Sequence, residues 1–407
     1  MSPKEIVVII KAYFVSAVVL LILILADCPF SETADAAFFD MPGIGCRAFG
    51  TGGAMTALAD DPVSALFYNP AGLADIPGME VMGGATVVYF PVEYESPAGY
   101  KTKNDKISVC PYFGMSSDRF APVYFGIGLY GSLGTGFDYD RDERYGIYHD
   151  FTSEMGNMYL SPTIGYRITD TLSIGAGLNI AYGKLEMGMP VGTKRLYIDT
   201  DGFCYGLNLG VLYKPCQYIN FGFRWRSRMK ADLKGDANLG GAQGDVKAHM
   251  YWPDTLTFGL AVHASPKLTI LCDLEWIGYS RFSRKSHLTY SNNLSGFNSP
   301  FLKDMRDARR VHLGCEYSVN EKLLLRAGYL YNPWCVPDAQ TSPFAPGNTY
   351  HTFHLGANVK ITKNLSMDFM ALSNLTSSRT VTNSETGYPG TYKTPCYAID
   401  IAVSYIF

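Results

Sequence analysis

The chain has 407 residues, 47% of them hydrophobic and 17% charged, with a formal net charge of −3. That balance gives no support for a nucleic-acid partner, and the length fits two or three soluble domains or one large barrel. The mean hydropathy of +0.01 conceals one lopsided segment at the start.

Lys4 and Lys11 flank the beginning of an apolar run from Ala12 to Ala26, and the small residues Ala34-Asp35-Ala36 follow. A basic start, a short apolar core and a small-residue site form the pattern of a secretory leader. Residues 1–36 are therefore expected to be removed just before Ala37. The run is short of the roughly 20 residues of a transmembrane helix. Leu25-Ala26-Asp27-Cys28 offers a lipid-attachment alternative, but such boxes want a small residue where Asp27 stands. No long apolar run follows Ala36. If the mature chain spans a membrane, it must do so as a closed barrel, because lipid offers no partner for an unpaired backbone group. The 29 Tyr, 23 Phe and 41 Gly suit alternating strands with aromatic girdles.

Residues 37–78 do not alternate. They carry Phe38-Phe39, the run Gly50-Thr51-Gly52-Gly53-Ala54, Asp60-Asp61-Pro62 and the turn Asn69-Pro70-Ala71-Gly72. A small-residue segment ahead of the first strand can fold compactly inside a lumen, since glycine allows close backbone approach. Gly43-Ile44-Gly45-Cys46-Arg47-Ala48 resembles a dinucleotide fingerprint only formally, because no strand precedes it and no βαβ unit follows.

From Met79 onward period-two alternation dominates. Leu172, Ile174, Ala176, Leu178, Ile180 and Tyr182 share one face of a strand, as do Ile219, Phe221, Phe223 and Trp225 of another. In the last segment Tyr397, Ile399, Ile401, Val403, Tyr405 and Phe407 face one way, and Ala398, Asp400, Ala402 and Ser404 the other. Apolar residues outward and small or polar ones inward is the pattern of a transmembrane β-barrel. The terminal Phe407 is the signal such barrels present to their insertion machinery. Tight turns are predicted at 169–170, 214–217, 265–267, 319–321 and 362–364, and longer polar stretches near 135–152, 187–201, 231–246, 281–308, 333–349 and 376–394. That short–long rhythm predicts brief periplasmic turns, extended outer loops and about fourteen strands. A soluble β-sandwich or propeller explains neither the rhythm nor the apolar outward faces. The expected organisation is a leader at 1–36, a plug at 37–78 and an all-β transmembrane barrel at 79–407.

Arg224, Arg226, Arg228 and Lys230 recur at period two, so all four are predicted to share one strand face. Phe223, Trp225 and Met229 hold the other, which turns the basic residues inward. Arginine on the lipid face would cost about 2–4 kcal/mol near the midplane. Asp273, Glu275, Arg310, Glu316 and Arg326 face inward by the same alternation. Buried charges need partners, so these residues are expected to form a salt-bridge network that ties wall to wall and wall to Asp60 and Asp61. Attraction of an anionic ligand is the alternative reading. No residue spacing points to a metal or cofactor, and the eight cysteines after Cys28 contain no C-x-x-C pair. They are expected to behave mostly as small apolar residues.

The runs Gly53-Ala54-Met55-Thr56-Ala57-Leu58-Ala59-Asp60-Asp61 and Leu66-Phe67-Tyr68-Asn69-Pro70-Ala71-Gly72-Leu73 resemble the N-terminal hatch of the FadL-type outer-membrane transporters. So do Leu160-Ser161-Pro162, Trp225-Arg226-Ser227, Trp252-Pro253, Glu275-Trp276-Ile277-Gly278-Tyr279-Ser280-Arg281-Phe282 and Arg326-Ala327-Gly328-Tyr329 in their order along the chain. The resemblance implies a fourteen-stranded barrel plugged by the hatch, with a third strand that opens sideways to the bilayer. It implies a hydrophobic small-molecule ligand, long-chain fatty acid or hydrocarbon, that meets residues of the mature N-terminus. Phe38 and Phe39, with Asn69, Pro70, Ala71 and Gly72 of the hatch, are the candidates to line the pocket. Gly128, Gly131, Gly134 and Gly136 weaken the third-strand candidate and mark the candidate opening, with packing against the plug as the alternative. Met187 stands about where relatives carry a ligand-binding arginine, so carboxylate recognition does not carry over. The partners expected are the ligand and outer-membrane lipids, and the barrel is expected to be monomeric. A general diffusion porin and an outer-membrane lipid hydrolase are the competing functions. A plug disfavours the first, and no serine has the context of a nucleophile for the second.

Overall fold

The computed structural model describes residues 43–139, 151–343, 345–375 and 378–407, so the expected leader and Phe38 and Phe39 lie outside the described residues. Alternation produces the strands directly. In the last one Tyr397, Ile399, Ile401 and Val403 are 43–56% exposed, while Ala398, Asp400 and Ala402 between them are buried.

Fourteen strands form the wall. They are β1 Met79–Tyr89, β2 Ile107–Phe120, β3 Val123–Tyr139, β4 Phe151–Thr169, β5 Leu172–Val191 and β6 Lys194–Cys216. Strand β7 has two pieces, Ile219–Arg226 and Met229–Leu239, and β8 likewise has Ala242–Trp252 and Thr255–Ser265. The remainder are β9 Leu268–Ile277, β10 Ala308–Ser318, β11 Leu323–Asn332, β12 Tyr350–Lys360, β13 Leu365–Leu375 and β14 Tyr397–Ile406. Each pairs antiparallel with its chain neighbours, and β1 closes the ring on β14, with Glu80 opposite Ile406 and Tyr89 opposite Tyr397. Both ends of the wall therefore meet on the same rim.

The tight turns fall where the sequence puts them, and Ala121-Pro122 makes a further one between β2 and β3. Two of the expected outer loops are instead strand. Residues 187–201 belong to β5 and β6, joined at Gly192-Thr193, and 231–246 belong to β7 and β8, joined at Gly240-Gly241. The segments look polar because their outward face is charged, yet Leu185, Met187, Leu196, Ile198 and Leu233 are buried on the inward face. Beyond the outer ends of β1, β2, β13 and β14, Val92–Glu95, Lys101–Asn104, Arg379–Val381 and Gly390–Lys393 form a separate four-stranded sheet. It packs on the buried Tyr94, Tyr100 and Tyr392.

Residues 43–78 sit within the ring. The helix α1, Cys46–Gly50, touches β1 and β11 to β14, whereas α2, Pro62–Phe67, touches β1 to β4. A 3-10 turn, Pro70–Asp75, touches β2 to β6. Asp61 caps α2 by accepting from the Ser64 amide at 2.8 Å, and Pro62 starts its first turn without needing a donor.

Wall glycines make room for this segment. A β-carbon on Gly222 would collide with the Thr56 carbonyl, and one on Gly328 with the Gly52 amide. Backbone therefore lies directly on backbone, which only glycine permits. Gly222→Val is expected to leave a barrel of normal heat-modifiable gel mobility while making the chain trypsin-sensitive at Arg47. Protection of Arg47 equal to wild type would refute this account of the seat.

Candidate functional site

Two cavities open inside the lumen, and one irregularity in the wall creates the place where they meet. Asn208 pairs with Arg226, but the next recorded pair is Tyr205 with Lys230, so three residue steps of β6 face four of β7. This β-bulge at Ser227-Arg228 inserts one residue and reverses the side-chain phase. Arg224 and Arg226 are buried on the inward side, and beyond the bulge Met229, Ala231 and Leu233 take that side. Arg228 and Lys230 are exposed on the outer face. The expected inward row of four basic residues is thus two inward and two outward, because the strand is not continuous. Pro253-Asp254 interrupts β8 at the same level, so Trp252 and Thr255 both face inward.

The outer cavity is lined by Tyr159, Asn179, Arg226, Ser227, Met229, Trp252, Pro253, Thr255, Tyr279 and Phe282. Tyr279 and Phe282 come from the helix α3, Tyr279–Lys285, which follows β9 and buries both rings. The inner cavity borders the plug at Gly53, Thr56, Phe67 and Tyr68 and the wall at Arg224, Arg226, Asp273, Glu275, Arg310 and His312. Arg226 is common to both, its guanidinium 4.5 Å over the Phe67 ring and 5.8 Å over Tyr159. Aromatic rings continue from there toward β3. Tyr159 stacks on Tyr130 at 5.5 Å, and Phe67 meets Tyr130 edge-on at 5.7 Å.

Ion pairs and hydrogen bonds in three clusters hold the plug. Glu275 takes Arg224 at 2.5 Å and Arg310 at 3.1 Å, while Arg224 also donates to the Phe67 carbonyl at 3.1 Å. Asp273 accepts from the Thr56 amide at 2.8 Å, and His312 donates from Nδ1 to the Gly52 carbonyl at 2.8 Å. On the neighbouring strand β10, Glu316 receives Arg47 of the plug at 2.9 Å and Arg326 of the wall at 2.8 Å, and Arg326 also pairs with Asp368. Ionic links from wall to plug run through Arg47 and through Asp75, which pairs with Lys214 of β6 and Arg167 of β4. Asp60 and Asp61, expected to reach the wall, pair instead with Arg47 at 2.7 and 3.6 Å. Burial opposes the Arg47 charge, but Asp60 and Glu316 outweigh it and hold its pKa above the usual guanidinium value.

The hatch turn anchors rather than lines. Asn69 donates from Nδ2 to the carbonyls of Thr56 at 2.7 Å and Val211 at 3.0 Å, and its Oδ1 accepts from the Ala71 amide. Asn69, Pro70, Ala71 and Gly72 are buried and line neither cavity. The glycines of β3 divide. Gly128 gives way to Leu66 of the plug, as the packing alternative has it. Gly131 borders a bulge at Ser132, since Gly131 pairs with Met158 and Leu133 with Asn157. Gly134 and Gly136 pair with Gly156 and Glu154 of β4. On the other edge, recorded pairing of β2 with β3 ends at Tyr112 and Tyr130, and Ile107–Pro111 of β2 pairs with β1 alone. Pro111 contributes no amide donor at that boundary.

Arg47, Tyr159 and Tyr130 were not singled out by the sequence, and Met229, expected on the outward face with Phe223 and Trp225, instead lines the cavity because the bulge reverses the phase. Trp252, Tyr279 and Phe282 lay within its motifs without a role. Among the described residues no group of three or more His, Cys, Asp or Glu side chains converges on a metal position, and the eight described cysteines are unpaired with one another.

Fold and lumen together define a plugged outer-membrane β-barrel. Residues 28–407 match the model of the outer membrane protein transport protein family (OMPP1/FadL/TodX), and the chain belongs to that family. It is 24% identical to outer membrane protein P1 of Haemophilus influenzae over 62% of each chain, so it spans less than two thirds of that relative's length. With the long-chain fatty acid transport protein of Escherichia coli it shares 22% identity over 81% of this chain and 84% of the relative. The fold matches a Pseudomonas aeruginosa FadL homologue with a TM-score of 0.80 at 16% identity, covering 91% of this chain and 100% of the homologue. The toluene transporter TodX of P. putida gives 0.76 at 18% identity, covering 90% and 99%.

Breaking a buried ion pair from one side costs about 3–5 kcal/mol. Glu316→Gln leaves Arg47 and Arg326 without their shared carboxylate and is expected to release the plug at a lower denaturant concentration than barrel unfolding. A single unchanged transition in that variant would remove Glu316 from the latch.

Proposed function

We propose that this protein carries hydrophobic small molecules, long-chain fatty acids or hydrocarbons, passively across the outer membrane. The ligand enters the aromatic cavity above the plug and leaves sideways into the bilayer between β2 and β3. The observation that carries the reading is the cavity of Tyr159, Met229, Trp252 and Phe282 beside the plug. A lining of aromatic rings and Met229 with polar groups at Asn179, Arg226, Ser227 and Thr255 suits a mainly apolar ligand.

The side exit rests on register. The Ser132 bulge and the end of β2–β3 pairing coincide beside Tyr130, which stacks on Tyr159 of the cavity wall. A ligand that moves past Tyr130 meets a seam with no cross-strand hydrogen bonds to break. Similarity to the long-chain fatty acid transport protein of Escherichia coli and the toluene transporter of Pseudomonas putida supports the ligand class. Arg226 at the cavity floor could pair with a ligand carboxylate or stack on an arene.

The remaining assignments fit this reading. Residues 1–36 act as an export leader, and Phe407, 66% exposed at the end of β14, presents the terminal aromatic to the insertion machinery. A ring closed on itself has no free edge, which suits a monomer. Phe38 and Phe39 are proposed to reach the ligand from the mature N-terminus.

Cells lacking their own hydrophobic transporter are expected to take up labelled oleate or labelled toluene only when they express this protein. Trp252→Glu, which puts a carboxylate into the cavity, is expected to cut that uptake by about tenfold or more with the barrel still heat-modifiable. Deleting Ser132 removes the extra residue and should close the seam, lowering uptake without loss of ligand binding. Uptake at wild-type rate after that deletion would reject the side exit and leave the cavity reading standing. Phe38→Glu or Phe39→Glu is expected to lower uptake, and no change in both would exclude the N-terminus from the pocket.

A further inference from the structure

The tall wall of β4 to β8 carries three tiers on its outer face, and their order fixes a depth. From Leu172 to Tyr182 on β5, and from Tyr213 up to Phe203 on β6, the outward residues are apolar. Each stretch matches the roughly 9–11 residues that cross the hydrocarbon. Its top edge is aromatic on β4 to β6, with Met158, Tyr182 and Phe203 in one cross-strand row. That row continues on β7 and β8 as Asp232, paired with Lys230, and His249, and Tyr205 and Tyr251 flank Lys230 just below. Phe203 and Tyr205 are 59% and 62% exposed. Rings of this kind settle at the headgroup boundary.

The next tier up is basic. Lys184, Asp201, Lys234 and Lys247 stand directly opposite one another across β5, β6, β7 and β8. Lys184 is held by Glu186 at 2.9 Å, and Asp201 accepts from Tyr182. Lys234 and Lys247 face each other, are exposed, and have no ion pair among the described residues. Like charges placed opposite each other destabilise a sheet pair, so this pair invites an anion. The tier above is acidic, with Glu154, Glu186, Asp199, Asp236 and Asp245 in one row. An anion attracted to the lysines is therefore confined to one level, just outside the hydrocarbon.

We propose that the outward face around Lys234 and Lys247 binds the phosphorylated headgroup of an outer-leaflet lipid, with the lipid's chains against Tyr205, Tyr251 and the apolar band below them. Charge and depth agree on the occupant: two unpaired ammonium groups at the level where phosphates of a bilayer lie. A soluble anion would satisfy the charge but would have no use for the apolar band below it.

The test uses the full-length protein purified in detergent and bisphosphorylated lipid A, with its dephosphorylated form as the control, bound lipid being counted by native mass spectrometry. Wild type is expected to retain the phosphorylated form at least about tenfold better, because each surface lysine contributes on the order of one kcal/mol. K234E/K247E, or the milder K234Q/K247Q should the first fold poorly, is expected to lose that preference. K322E/K363E on the opposite rim is expected to keep it. Equal retention of both lipid forms by wild type, or an unchanged preference in K234Q/K247Q, would overturn the proposal. So would complete displacement of the lipid by millimolar inorganic phosphate, which would show a free-anion site. Ligand uptake is a separate readout and does not enter this outcome.

Discussion

A ring of fourteen strands cannot be filled from its own wall. Eight strands enclose just enough room for inward side chains, and sixteen or more leave an aqueous channel. A barrel of intermediate size must either leak or be filled by something else, and here the filling is the chain's own N-terminal segment. Much else in the wall follows from that choice. Inward positions that would carry bulky residues carry glycine where the segment's backbone touches, as at Gly222 and Gly328. Inward charges are placed where the segment has carbonyls, amides or Arg47 to meet them.

The plug is held by directional contacts rather than by bulk. Buried ion pairs contribute little net stability over well-packed apolar groups, but they are costly to break from one side. That suits a part that must occupy one position without being fused to the wall. Glu275 and Glu316 belong to different networks, each shared between two basic residues. Only Glu316 takes a guanidinium from the plug itself. The Arg47 side can therefore separate as a unit, whereas the Glu275 side stays intact within the wall and loses only hydrogen bonds to plug backbone.

Much of the wall was legible in the sequence because a barrel strand must alternate, and alternation is local. Strand β14 could be assigned side by side from Tyr397 to Phe407. The failures share one cause. Above the membrane, alternation of apolar with charged residues has the composition of a loop, which hid the tall hairpins at 187–201 and 231–246. Within β7, a single inserted residue moved Arg228 and Lys230 to the outside, and nothing at Ser227-Arg228 announces a bulge. The role of Arg47 was hidden for a different reason. Its partner Glu316 is far away in sequence, and period-two reasoning says nothing about a segment that does not alternate.

That same bulge ties the lumen to the outer surface. With an unbroken phase, Lys230 and Lys234 would point into the lumen, and Met229 and Leu233 would face lipid. The cavity would then be lined by ammonium groups and the headgroup level of the wall by apolar side chains, which is the wrong polarity on both sides. Inserting one residue corrects both faces at once. It leaves Arg226 as the last inward charge, at the floor of the aromatic cavity, and turns Arg228 and Lys230 outward, Lys230 beside Tyr205 and Tyr251. The interruption at Pro253-Asp254 does the same for β8, bringing Trp252 inward below Lys247. A local defect in two neighbouring strands is thus the boundary at which this part of the barrel stops being a membrane wall and becomes a raised rim, apolar inside and charged outside.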